Sequence, residues 1–210
     1  MFTSYAYRLQ TGRESHFALG LQVGMISLRE NYLDVIEHDE GDPQFSQNVQ
    51  KLVPNAGFGL YFNTPKFYAG LSIPRLVENY IDPNNGIEIK NKLDMQTWHY
   101  FLTGGYIFTL NKDIKLKPMT MIRASDGATV QYDISLAAYF KEIFWLGGTY
   151  RSGDAAAIFA QVNLTKQLRL GYSYDYTVSK LNKYSSGSHE ITLGYDIPIK
   201  KTGVLTPRYF

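Results

Sequence analysis

Apolar and polar residues alternate with period two along most of this chain. Between Ser15 and Ser27, Phe17, Leu19, Leu21, Val23 and Met25 share one parity, and Ala18, Gly20, Gln22 and Gly24 the other. Residues 168 to 177 set Leu168, Leu170, Tyr172, Tyr174 and Tyr176 against Arg169, Gly171, Ser173, Asp175 and Thr177. Residues 189 to 197 set His189, Ile191, Leu193, Tyr195 and Ile197 against Glu190, Thr192, Gly194 and Asp196. A strand shows alternate side chains on opposite faces, so this pattern predicts strands with one greasy and one polar face. Helical periodicity is hard to find. The alternation predicts about eleven strands, over 2–10, 15–28, 54–63, 67–73, 97–110, 114–124, 128–140, 143–151, 155–163, 168–177 and 188–198. Several reach the roughly 9–11 residues that a tilted strand needs to cross a bilayer. Strands of soluble domains are most often about 5–6 residues long.

The connections sort into two alternating sets. Thr11–Glu14, Asn63–Lys66, Asn111–Asp113, Lys141-Glu142 and Thr165–Gln167 are tight. Between them fall two long loops, near 29–53 and 74–96, then Ser125–Gly127, Ser152–Asp154 and a medium loop near 178–187. All long loops therefore lie at one end, the asymmetry of outer-membrane barrels with short periplasmic turns and longer external loops. The last strand then runs toward the short-turn side, and so does the first. A single-chain barrel normally enters from the periplasm and has an even strand count. The expectation is an antiparallel transmembrane β-barrel that is incomplete at its N-terminus. It spans residues 1–198, with a short periplasmic tail over 199–210 and at least one further strand upstream of Met1.

Composition agrees. Tyrosine (17), glycine (18) and phenylalanine (12) are abundant, mean hydropathy is slightly polar, and no apolar run approaches the roughly 20 residues of a spanning helix. A barrel wall keeps mean hydropathy low, because half its side chains face the lumen. The net charge of +2 and the lack of a basic block point away from nucleic acid. Without cysteine there is neither a disulfide framework nor a thiolate metal site. No basic segment, apolar core and cleavage site opens the chain. Alone, that fits a cytoplasmic protein or a missing N-terminus; the barrel pattern selects the second.

Aromatic and glycine placement refines the picture. Tyr5, Tyr7, Trp98, Tyr100, Phe108, Tyr172, Tyr174 and Tyr176 fall near strand ends on the apolar parity, where amphipathic rings favour the headgroup layer. As the core of a soluble β-sandwich they would bury many hydroxyls at a cost. Gly20, Gly24, Gly57, Gly59, Gly70, Gly105, Gly147, Gly171 and Gly194 take the inward parity. They suit bending of the barrel wall or close approach of a plugging segment. Lys117, Arg123, Gln131, Asp133, Arg151, Gln161, Arg169, Asp175, Glu190 and Asp196 share that parity and would pair across the lumen or line a wet pore.

Candidate chemistry is sparse. Of the four histidines, His189 lies on the lipid-facing parity, His16 starts a strand beside a tight turn, and His38 sits in an acidic loop. His99 is inward near the outer rim, but no Ser–acid pair can be set beside it from sequence to complete a triad. No GxSxG, HExxH or P-loop pattern occurs. The segment His38–Pro43, preceded by Glu30, Asp34 and Glu37, has oxygen ligands for calcium but not the spacing of an EF-hand, so it reads as a solvated external loop. The second long loop, Val77–Gly86, mixes turn residues with exposed apolar ones, as partner surfaces do. The residues therefore assign no catalytic, cofactor-binding or metal site.

The segment Asn55–Phe62, then Phe67–Pro74, resembles the PorP/SprF family of type IX secretion and gliding-motility membrane proteins. So do Leu116-Lys117-Pro118, Trp145–Arg151, Leu170–Tyr176, Gly187–Ile191 and the ending Thr206–Phe210. Order and spacing, more than any one motif, carry the likeness over nearly the whole chain. It implies an outer-membrane barrel of Bacteroidetes-type bacteria, with no enzymatic residues and no cofactor. Its partners would be outer-membrane lipid, other type IX components, and secreted surface proteins such as adhesins that it helps to export or attach. The loops near 29–53 and 74–96 are the expected contact regions. A general diffusion porin and a membrane-embedded hydrolase using His99 are the competing readings.

Overall fold

The computed structural model describes residues 1–30, 49–77, 80–82, 86–88, 98–183 and 186–197. Its strands are β1 Phe2–Gln10, β2 His16–Glu30, β3 Val49–Asn63, β4 Phe67–Ile73, β5 Tyr80–Asp82, β6 Gly86–Glu88, β7 His99–Tyr106, β8 Phe108–Thr109, β9 Ile114–Ser125, β10 Gln131–Phe140, β11 Phe144–Arg151, β12 Ala155–Asn163, β13 Leu168–Thr177 and β14 Ser188–Tyr195. One 12-stranded antiparallel sheet runs in the order β1-β2-β3-β4-β7-β9-β10-β11-β12-β13-β14, with β8 beside β9. Each long strand pairs with the next one along the chain, so the sheet is a meander in which tight turns alternate with longer connections.

The expected strands are present with shifted ends. The strand expected over 97–110 is divided, because β7 stops at Tyr106 and β8 resumes at Phe108. Continuing the β7–β9 ladder past Gly105↔Met119 would set Tyr106 opposite Pro118, which has no N–H to donate. The Ile107 N–H instead reaches the Lys66 carbonyl at 2.7 Å. β3 begins at Val49 rather than near 54, so β2 and β3 form one long hairpin. The loop near 74–96 holds the short β5–β6 hairpin. His38, the acidic segment 34–43 and the tail over 199–210 lie outside the described residues.

Residues paired across antiparallel strands share a face, so the register tests the alternation directly. One row runs Tyr7, Leu19, Leu60, Leu71, Leu102, Ile122 and Tyr132. A row on the other face runs Arg8, Ala18, Tyr61, Gly70, Thr103, Met121, Asp133, Arg151, Ala155 and Thr177. The second row starts near the short-turn end of β1 and finishes at the long-loop end of β13. Such a climb across the sheet is the stagger that tilted barrel strands require. The sheet is open, with β1 and β14 as its edges. These two run in the same direction, so pairing them directly would make a parallel seam in an otherwise antiparallel wall.

Packing settles which solvent each face meets. The buried apolar side chains among the described residues are Val53, Ile73, Ile107, Ala137 and Ala155, too few and too scattered for a soluble core. Leu19, Leu170 and Leu193, which a soluble sandwich would hide, are 37%, 39% and 70% exposed. An apolar face this wide on a lone soluble chain would drive association; against lipid it is the expected exterior. Aromatic residues ring both ends of that face. Phe17, Phe62, Phe67, Tyr106, Phe108, Phe140 and Phe144 gather at the short turns, and Tyr100, Tyr132, Tyr150, Tyr174 and Tyr176 at the long loops. The hydroxyl-bearing rings concentrate at the loop end, where a wetter headgroup layer suits them.

Candidate functional site on the polar face

The polar face carries the charged and amide side chains anticipated on the inward parity. Near the long-loop end, Asp133 on β10 accepts from Arg123 on β9 through both carboxylate oxygens, at 2.7 and 2.8 Å. Arg151 on β11 donates to the same carboxylate at 3.4 Å and to Asp154 at 3.3 Å. The register puts the three residues side by side: Asp133 faces Arg151 directly, and Arg123 is opposite Gln131, two residues along on the same face. Asp133 is buried to 8% exposure, so its charge depends on these partners. Ser135 and Thr149 share a 2.8 Å hydrogen bond just below. Arg123, Asp133 and Arg151 thus pair between neighbouring strands along the wall, which is a different arrangement from the pairing across a lumen and the wet pore that the sequence suggests. The Arg169–Asp196 pair is longer, 3.5 Å, and exposed.

At the short-turn end, two residues keep a backbone that L side chains rarely adopt. Lys141 and Glu142 have φ of 48° and 57°, the left-handed pair of a type I′ hairpin turn that ordinarily uses Asn-Gly. Side chains on neighbouring strands hold it. Lys115 Nζ meets Glu142 Oε1 at 2.9 Å, and Asn163 Nδ2 and Tyr139 Oη donate to the Glu142 carbonyl at 3.1 and 3.3 Å. Sequence shows a tight turn here but not its handedness, since neither residue is a glycine or asparagine.

This turn borders a cavity of about 620 Å³ on the polar face, lined by Lys117, Tyr139, Trp145, Gln161, Asn163 and Arg169 among others. Tyr139 and Trp145 pack edge to face, with centroids 4.4 Å apart. Lys117 Nζ lies 5.6 Å from the ring centres of both Trp145 and Tyr68, within cation–π range. The sequence named Lys117, Gln161 and Arg169 as inward but could not show that three strands gather them beside Trp145.

Three of the inward glycines sit opposite aromatic rings. Gly105 faces Tyr68 across the ladder, Gly147 faces Phe159, and Gly70 faces Tyr61. At Gly147 a Cβ would stand 2.5 Å from the Phe159 ring and 2.7 Å from the Leu136 carbonyl. At Gly105 and Gly147 a large ring thus lies over a glycine on the next strand and leaves no room for a side chain, and at Gly70 the fit is tight.

The histidines do not converge. His189 is on the apolar face as expected, with its Nδ1 2.8 Å from the Tyr172 hydroxyl and its ring 4.8 Å from that of Tyr174. His16 pairs with Gln10 and Asn63 at a strand start. His99 stands opposite Ser125 in the register, and no hydrogen bond joins those two side chains among the described residues. No group of three metal-binding side chains occurs among them.

A staggered antiparallel sheet, apolar across one face and tied by charges on the other, defines the wall of a membrane β-barrel protein. A family model described as type IX secretion system membrane protein PorP/SprF matches residues 2–195. The chain belongs to this PorP/SprF family and is a membrane protein of the type IX secretion system. No curated protein matches it.

Proposed function

We propose that this protein sits in the outer membrane as a non-enzymatic component of type IX secretion. In this reading it acts with other components of the system to export or attach particular secreted proteins, such as adhesins. The observation that carries the reading is the family match over residues 2–195 on a sheet with one apolar and one polar face. The short turns would face the periplasm, the long loops the exterior, and residues 1–198 would form barrel wall followed by a short periplasmic tail. The loops near 29–53 and 74–96 are the proposed contacts for exported protein, on the strength of their length and composition. Replacing residues 31–48 and 78–96 by short Gly-Ser linkers should abolish surface display of a cognate adhesin while the protein still reaches the membrane. Normal display with both segments gone rejects the contact role.

The hydrophilic face favours one other reading, a general diffusion porin. It requires ion conductance by the purified protein in planar bilayers, and a sealed bilayer rejects it.

A further inference from the structure

Charge on the polar face is divided between its two ends. Toward the long loops stand Asp133, Asp175 and Glu190, with Asp154 in the adjoining turn and Arg123 and Arg151 among them. Toward the short turns stand Arg8, Lys115, Lys117 and Arg169, with Asp196 as the inward acid. The 620 Å³ cavity opens at this basic end, and its volume falls within the roughly 300–1,000 Å³ of small-ligand sites. Its lining includes Lys117, Lys166 and Arg169 against Glu142 and Asp196. Glu142 is shared with Lys115, so cations outnumber carboxylates around the site.

Hydrogen-bonding capacity is biased the same way. Lysine and arginine only donate, and the Trp145 indole N–H is a buried donor without a partner. Gln161 and Asn163, two apart on β12, present amides from one face of the strand, and Tyr139 with Trp145 supplies an apolar wall. We propose that this cavity binds an acidic peptide segment, with carboxylates directed to Lys117 and Arg169 and main-chain groups to Gln161 and Asn163. A small inorganic anion would use only the cations, whereas a peptide also uses the amides and the aromatic wall. The exposed turn residues Lys166 and Gln167 at the cavity mouth let such a segment lead out toward the short-turn side. This names a partner class at the opposite end from the proposed loop contacts, so binding by purified protein and the display assay fail independently.

Trp145 provides the readout. The chain has two tryptophans, so Trp98→Phe in the full protein, folded in detergent or lipid vesicles, leaves Trp145 as the sole indole reporter. A blocked oligoglutamate peptide should change its emission saturably, and oligolysine should not. Lys117→Gln combined with Arg169→Gln should weaken the apparent affinity about tenfold or more, a loss readable as a shift in titration midpoint. Lys117→Arg should retain binding and so show that the fold is intact. Lys66→Gln with Lys112→Gln, basic turns outside the cavity, should change little. The proposal is overturned by no saturable response, by an equal response to inorganic phosphate at matched charge, or by equal sensitivity to the two turn lysines.

Discussion

Asp133 concentrates the polar energetics of the sheet, because one mostly buried carboxylate serves two arginines from the flanking strands. Asp133→Ala leaves the Arg123 guanidinium without its carboxylate in a part-buried setting and Arg151 with Asp154 alone. The expected loss is roughly 2 kcal/mol, the cost of orphaning a partly buried polar partner. Asp133→Asn, which keeps one acceptor oxygen, should lose less. Urea unfolding in lipid vesicles measures both, and equal stability of all three proteins refutes the arrangement. Gly147 tests packing instead. Its missing Cβ is space held by the Phe159 ring and the Leu136 carbonyl, so Gly147→Val should cost about 1–3 kcal/mol through overpacking. Trimming Phe159 to Ala in the same chain should recover part of that loss. The inward glycines were evident from alternation alone, but the partner of each was not, since cross-strand register fixes it.

At the scale of elements, parity decides which substitutions a strand accepts. Ile158 and Ala157 are neighbours on β12, one on the apolar and one on the polar face. Ile158→Arg places a charge against lipid and should cost roughly 2–4 kcal/mol if near the midplane. Ala157→Arg points into a polar row beside Thr149 and Asp175 and should cost much less. Folding yield into vesicles, read by heat-modifiable gel mobility, separates the two, and a reversed order would exchange the faces. Alternation revealed the strands because a half-buried strand writes its period into every second residue. It did not reveal the break at Ile107, since the apolar parity of Tyr106, Phe108 and Leu110 continues through it. Nor did it reveal the lengthened β2–β3 hairpin, because Pro54 reads as a strand boundary while the pairing runs on through Met25↔Pro54 to Glu30↔Val49.

Across the whole molecule, short turns and long loops define two ends, and the proposed outer-membrane orientation puts them in different compartments. The absence of cysteine makes this measurable with single introduced thiols. Asp126→Cys, in a turn on the long-loop side, should react with a membrane-impermeant maleimide on intact cells. Lys112→Cys, in a short turn, should react only after the envelope is opened. The opposite pattern inverts the orientation. The open edges at β1 and β14 carry a further consequence: unpaired backbone groups cannot be left facing hydrocarbon. In the membrane both edges must therefore be paired or covered.

The sequence by itself determined that strands with two unlike faces run through nearly the whole chain, which residues face each side, and at which end the loops lie. These properties are local, set by side-chain parity and turn chemistry. Only the tertiary structure decided which residues meet. The shared carboxylate of Asp133, the rings laid over glycines, the left-handed Lys141-Glu142 turn and the basic cavity beside Trp145 all join residues on different strands. Their positions depend on register and stagger, and a shift of one residue would exchange the faces and dissolve every one of these contacts.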